Sequence, residues 1–185
     1  MIEFKNVFFT YKEKPILNDF SLQINKGDRL CLFGESGKGK TTILRLLTGL
    51  EKCQKGEILG NSDKRFSVVF QEDRLLLNLT VLENVALVGE REKAVKLLTA
   101  LDLGNCLDMK PNQLSGGMSR RVAIARALCA NYDILLLDEA FNGLDEEHVK
   151  SACDLILKEL NDRPLVLVSH NKEHIEYLNA KTVLI

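Results

Sequence analysis

The stretch Gly34-Glu35-Ser36-Gly37-Lys38-Gly39-Lys40-Thr41 constrains this chain more than any other. It meets the full pattern GxxxxGK[ST], in which glycines let the backbone curl so that successive N–H groups point inward at phosphate oxygens. The helix that follows such a loop adds its positive N-terminal end. The flanks suit that use. RLCLF is a short apolar run of the kind that forms a buried strand, and it leads straight into the loop. TTILRLLTGL then places Ile43, Leu46, Leu47 and Leu50 on one helical face. A chance match in an ordinary loop would not bring both flanks with it. Within the loop, the Lys40 ammonium is expected to reach the terminal phosphates and the Thr41 hydroxyl to bind Mg²⁺.

The rest of the chain alternates strands with helices. IEFKNVFFTY and ILNDFSLQI carry the β-branched and aromatic bias of strands, and GEILG and RFSVVF read the same way. TVLENVAL, EREKAVKLLTALDL and SGGMSRRVAIARALCAN read as helices. YDILLLDEA has four consecutive apolar residues bounded by polar ones, which suits a parallel strand covered on both faces. DEEHVKSACDLILKEL is an amphipathic helix, PLVLVSH a strand, NKEHIEYL a short helix and KTVLI an edge strand. This order argues for an α/β fold, with the helical insert between Gln71 and Ser115 as a lobe of its own.

Bulk properties exclude several classes. The length of 185 residues fits one domain with an ample core. A formal net charge of -1 lacks the basic excess by which free-standing nucleic-acid binders neutralise phosphate, so no nucleic-acid partner is expected. Cys31, Cys53, Cys106, Cys129 and Cys153 are scattered and never form a CxxC pair, which reads as reduced thiols in a reducing compartment. The N-terminus MIEFKNVFFTYKEK has no signal-peptide pattern, and no apolar run approaches the roughly 20 residues that span a bilayer. Any service to a membrane is expected to run through a partner.

Two further motifs give the loop its context. Ile134-Leu-Leu-Leu137 ends in Asp138 and Glu139, so a buried strand delivers two adjacent acids at its C-terminal end. Asp138 suits the Mg²⁺ shell, and Glu139 suits orienting or deprotonating an attacking water. Leu114-Ser115-Gly116-Gly117-Met118 runs into a helix, where Ser115 and two small residues can present N–H groups to phosphate. Alone, that segment would be an ordinary Ser N-cap.

Together these motifs resemble those of ABC-type ATPases, and the resemblance covers nearly the whole chain. It implies an α/β fold: a P-loop NTPase core with a parallel sheet, an antiparallel β subdomain and a small helical subdomain carrying the signature motif. The implied division is a core of residues 1–70 and 131–185 with a helical subdomain at about 71–130. The resemblance implies ATP and Mg²⁺ as cofactors, ATP hydrolysis coupled to transport as activity, and a cytoplasmic chain held peripherally at the membrane. Residue by residue, Gly34, Glu35, Ser36, Gly37, Lys38, Gly39, Lys40, Thr41 and Thr42 match the phosphate loop. Tyr11 matches the aromatic that stacks on adenine, and Ser115, Gly116 and Gly117 the signature segment. Thr41, Gln71 and Asp138 match the metal positions, while Glu139, His170 and Lys40 match the catalytic ones. Phe141 to Asp145 occupies the D-loop, which crosses to a second subunit.

In the family, two chains face head to tail, so the signature of one closes on the γ-phosphate held by the other. The implied partners are therefore a second ATPase chain, permease subunits and a substrate-binding protein. The strings VVFQEDRLL, LTVLENVAL and LSGGM look most like importers of the nitrate, sulfonate and taurine group. Lys38, Met118, Ala140, Asn142 and Arg120 depart from common family residues, and the chain is shorter than most relatives. Two alternatives stay open on sequence alone: an ABC-type ATPase working without a transporter, and a nucleotide-binding module with little turnover.

Overall fold

The computed structural model describes residues 1–12 and 14–185. Strands β1 (Ile2–Tyr11), β2 (Lys14–Ile24) and β4 (Lys55–Leu59) form an antiparallel sheet in the order β2-β1-β4. Strands β3 (Arg29–Phe33), β5 (Phe66–Val69), β6 (Ile134–Asp138), β7 (Leu165–Val168) and β8 (Lys181–Leu184) form a second, fully parallel sheet in the order β5-β6-β7-β3-β8. Every residue of β6 and β7 is buried, which explains their unbroken apolar runs: helices or strands cover both faces. KTVLI lies at the sheet edge, with β8 paired only to β3.

Among the described residues six α-helices complete the fold: α1 (Lys40–Leu47), α2 (Val81–Ala86), α3 (Arg91–Ala100), α4 (Gly116–Cys129), α5 (Glu146–Leu160) and α6 (Lys172–Tyr177). Helices α2, α3 and α4 pack on one another. Their ends are set by short-range chemistry. Thr80 and Glu83 form a reciprocal capping box on α2. Ser115 caps α4 through the Met118 N–H, and Asp145 caps α5 through the His148 N–H.

One sequence expectation for α1 needs correction. The helix stops at Leu47, Gly49 follows at a φ of 74°, and Leu50 is exposed rather than on the buried face. Glycine at a left-handed position just past a helix is a strong stop, and it outranks the apolar spacing.

The parallel sheet separates two cores. Along β6, Leu135 and Leu137 point into a core shared with α2 to α5, while Ile134 and Leu136 point into one shared with α1 and β1. Cys31 and Leu32 divide β3 in the same manner, and Leu167 and Val168 divide β7. The period-2 alternation of a strand thus roots the two faces of the sheet in different helices. This layering leaves the C-terminal ends of β3, β5, β6 and β7 free, and the polar motifs follow directly from those ends.

Candidate active site

The phosphate loop leaves β3 and enters α1 through Gly37 and Gly39, with φ of 83° and 97°. Both angles lie where side chains are strained. Gly39 is also short of space, because a Cβ there would stand 2.7 Å from Ile16 Cγ2. As the N-cap of α1, Gly39 offers no side chain to the helix. The first-turn amides of α1 therefore depend on an outside acceptor, which is the electrostatic signature of an anion site. Lys40 is buried, and its Nζ donates to the carbonyls of Gly34 (2.8 Å) and Glu35 (2.7 Å). A buried ammonium held only by loop carbonyls is poised to exchange them for phosphate oxygens of higher charge.

An open cavity of 370 Å³ lies over the loop. It brings together Tyr11, Ser36, Gly37, Gly39, Lys40, Thr41, Thr42, Gln71, Glu139 and His170. Tyr11 closes one end. Its ring meets Phe9 edge to face at 4.8 Å, its hydroxyl donates to Glu51 Oε1 at 3.1 Å, and Arg45 Nη1 donates to that hydroxyl at 3.4 Å. Lys14, Ile16 and Val168 also line the cavity. The sequence reading missed Ile16, Arg45 and Glu51. No motif marks them, and only the antiparallel sheet lying over α1 brings them to the site.

The acids sit at the end of β6. Asp138 is buried, and Thr41 Oγ1 donates to its Oδ1 over a long 3.4 Å. Burial raises its pKa above the usual carboxylate value, and the nearby Glu139 charge adds to that, against the Thr41 hydrogen bond. A buried acid facing a hydroxyl across so loose a contact is the setting a cation would complete. Among the described residues no cluster of three His, Cys, Asp or Glu side chains exists. Thr41, Asp138 and Gln71 line one groove and offer oxygen donors, a set that suits Mg²⁺, which keeps phosphate oxygens and waters in most of its shell.

Glu139 has φ of 50°, a left-handed angle that costs a non-glycine residue of order 1–3 kcal/mol. The turn is secured by Glu139 N–H on the Val168 carbonyl and Asn142 N–H on the Glu139 carbonyl. Its carboxylate is held from two sides. Asn142 Nδ2 donates to Oε2 at 2.8 Å, and His170 Nε2 lies 3.4 Å from Oε1. Asn142 thus touches the candidate base directly. Below them, Ser169 Oγ is hydrogen-bonded to buried His174 Nδ1 at 2.9 Å and accepts from the Asn171 N–H, fixing the turn that carries His170.

Three expected contacts are not assembled within one chain. Ser115, Gly116 and Gly117 do not line the 370 Å³ cavity. A Cβ at Gly117 would instead stand 3.4 Å from the Gly143 carbonyl, beside the D-loop. Gly34, Glu35 and Lys38 are loop residues outside the cavity lining; Gly34 and Glu35 serve as acceptors for Lys40, and Lys38 is exposed.

A phosphate loop at the end of one parallel strand, with a histidine at the end of its neighbour β7 and paired acids at the end of β6 beyond it, defines a P-loop ATPase. The family model described as "ABC transporter" matches residues 17–142, and the chain belongs to that family. It is 37% identical to the thiamine import ATP-binding protein ThiQ of Haemophilus influenzae, over 95% of this chain and 90% of that protein. It is 35% identical to the spermidine/putrescine import ATP-binding protein PotA of Aggregatibacter actinomycetemcomitans, over all of this chain but about half, 55%, of that relative. Among solved structures it resembles the dimeric structure of a bacterial ABC transporter cassette, with a TM-score of 0.88 and 31% identity over 100% of this chain and 94% of that one. A dimeric post-hydrolysis cassette bound to ADP and Pi is similar at a TM-score of 0.87 and 30% identity, again over 100% and 94%.

Proposed function

We propose that this chain is the ATP-hydrolysing subunit that energises an ABC importer, working as a pair of cassettes beneath membrane permease subunits. The observation that carries this reading is the convergence of Tyr11, Lys40, Thr41, Gln71, Glu139 and His170 on one cavity that lacks Ser115. A site complete except for its signature segment calls for that segment from elsewhere. A second copy supplies it.

In this reading the adenine stacks on Tyr11, and the amides of residues 34 to 42 hold the phosphates with Lys40. Thr41, Gln71 and Asp138 would hold Mg²⁺, which would supply positive charge beside the phosphoryl oxygens. Glu139 accepts a proton from the attacking water, whose oxygen bonds to the γ-phosphorus while the bond to the bridging oxygen breaks. His170 and Asn142 keep the Glu139 carboxylate on the correct side. Ser115, Gly116 and Gly117 of the second copy bring N–H groups to the γ-phosphate, so the nucleotide joins the two chains and its hydrolysis releases them. Residues 71–130 act as a helical subdomain that moves against the core of 1–70 and 131–185.

The groove between these parts suits a permease helix. It has a volume of 350 Å³ and runs from Thr41 and Asp138, beside the candidate metal position, along Leu44, Thr48 and Leu50 to Phe70 and Arg74, and Leu76 and Leu77 a few residues on are exposed. No helix of the described residues is long and apolar enough to cross a membrane, which supports attachment through such a partner. The relatives named for thiamine and polyamine import support import as the direction, with a substrate-binding protein delivering cargo. VVFQEDRLL and LSGGM support a place near the nitrate, sulfonate and taurine branch.

The test is Glu139→Gln, which keeps shape and loses the base. With ATP it should elute as a dimer on size-exclusion chromatography and turn over at least about 100-fold more slowly, in line with loss of a general base. Unchanged phosphate release would remove Glu139 from the mechanism. A monomer at saturating ATP would remove the shared site.

A further inference from the structure

Arginine at position 120 is buried in α4, and every partner recorded for it lies in the segment that follows β5. Nη1 donates to the Phe70 carbonyl at 2.7 Å, Nη2 donates to the Gln71 carbonyl, and Nε lies 3.2 Å from Asp73 Oδ1 without the alignment of a hydrogen bond. Six residues further along the same helix, Arg126 donates to the Arg74 carbonyl from Nη1 and to the Asp73 carbonyl from Nη2, both at 2.9 Å. Two guanidinium groups thus take the carbonyls of Phe70, Gln71, Asp73 and Arg74. Arg74 in turn lays its own guanidinium over the Phe70 ring at 4.0 Å.

A loop normally satisfies its carbonyls with its own amides or with water. This one delivers them to a neighbouring helix through planar forks, which fix direction as well as distance. The helix in question is the one capped by Ser115. We infer that Arg120 is a positioning residue: with Arg126 it fastens the Gln71 loop to the signature helix, so that the Gln71 side chain is placed by the movement of α4. The clasp makes the two γ-phosphate sensors of one chain travel as a single piece. It also explains why an arginine serves at this position. A shorter neutral amide offers two donors in place of five and no charge for Asp73.

The proposal rests on Gln71 acting in the reaction, and the experiment separates the two. Arg120→Gln, Gln71→Ala and the double variant are compared with the native chain for phosphate release, for binding of ATP without Mg²⁺ by calorimetry, and for amide hydrogen exchange over residues 70–76. For Arg120→Gln, exchange in that segment should rise about tenfold or more while α3 and β7 are unchanged, as local opening requires. ATP affinity should hold, because Tyr11 and the phosphate loop are intact, and kcat should fall on the order of 10–100-fold from misplacement of Gln71. The double variant should be no slower than Gln71→Ala alone, since Arg120 acts through Gln71. Additive losses in kcat, or unchanged exchange at 70–76, would overturn the proposal. Gln71→Ala at full rate would instead overturn the role of Gln71 beneath it. If Arg120→Gln folds poorly, Arg120→Lys is the second variant. It keeps the charge but reaches one carbonyl at a time, so the same exchange and kcat changes should appear in weaker form, and full native behaviour would refute the need for the fork.

Discussion

At the scale of single residues, the site is built from side chains and angles that cost stability. Gly39 combines a φ of 97° with a virtual Cβ pressed against Ile16. Gly39→Ala should therefore lower the unfolding free energy by about 1–3 kcal/mol and abolish ATP binding, as checked by urea titration and calorimetry. Adding Ile16→Ala should return part of the stability and none of the binding, because it relieves the contact but not the backbone angle. Glu139 likewise accepts a left-handed backbone so that its carboxylate meets Asn142 and His170. The phosphate loop and the paired acids could be picked out from order and spacing, whereas Tyr11, Gln71, His170 and the signature segment are named through the resemblance to ABC-type ATPases. Their supports could be found neither way: Arg45 and Glu51 hold Tyr11 across a long gap in sequence, and nothing in the local pattern around either distinguishes it from a surface charge.

At the scale of elements, polar pins set where the strands begin. Asp133, just before β6, accepts the Arg65 backbone N–H at 2.9 Å and the Arg65 guanidinium at 3.1 and 3.2 Å, and so aligns β5 with β6. These hydrogen bonds from Arg65 lower the Asp133 pKa to about 2, from an ordinary value of 3.8. A carboxyl lowered in the folded state stabilises above its unfolded pKa and loses that contribution as pH falls through the folded one. The stability difference between the native chain and Asp133→Asn should thus be constant above about pH 5 and shrink as pH falls from 3.8 toward 2, as followed by denaturant melts across pH. Strands and helices were readable because apolar periodicity decides them. The apolar run Ile134 to Leu137 announced a strand covered on both faces, and SGGMSRR announced a capped helix. The end of α1 was misread because Leu50 continues the apolar spacing while Gly49 breaks the backbone. The Arg120 contacts were invisible for a different reason: an arginine in a helix gives no sign of which carbonyls it will find.

At the scale of the whole molecule, the chain holds most of a hydrolytic centre and presents its signature segment away from it. Specific ATPase activity should therefore climb with protein concentration, approaching a square dependence of rate on concentration at high dilution, until dimerisation saturates. Measurement of phosphate release across a broad dilution series checks this, and a rate strictly proportional to concentration throughout, with a monomer in solution, would contradict it. The division of apolar side chains across the parallel sheet has its own consequence. Helix α1, entered from the candidate phosphate loop, has its buried side chains in one compartment, whereas α4 and α5 are anchored in the other. The strands work as a diaphragm between them, stiff in plane and touched by both. Both compartments pack on the same strands, and the candidate phosphate loop, Glu139 and His170 all follow the C-terminal ends of those strands, so chemistry and mechanical load meet at one rim.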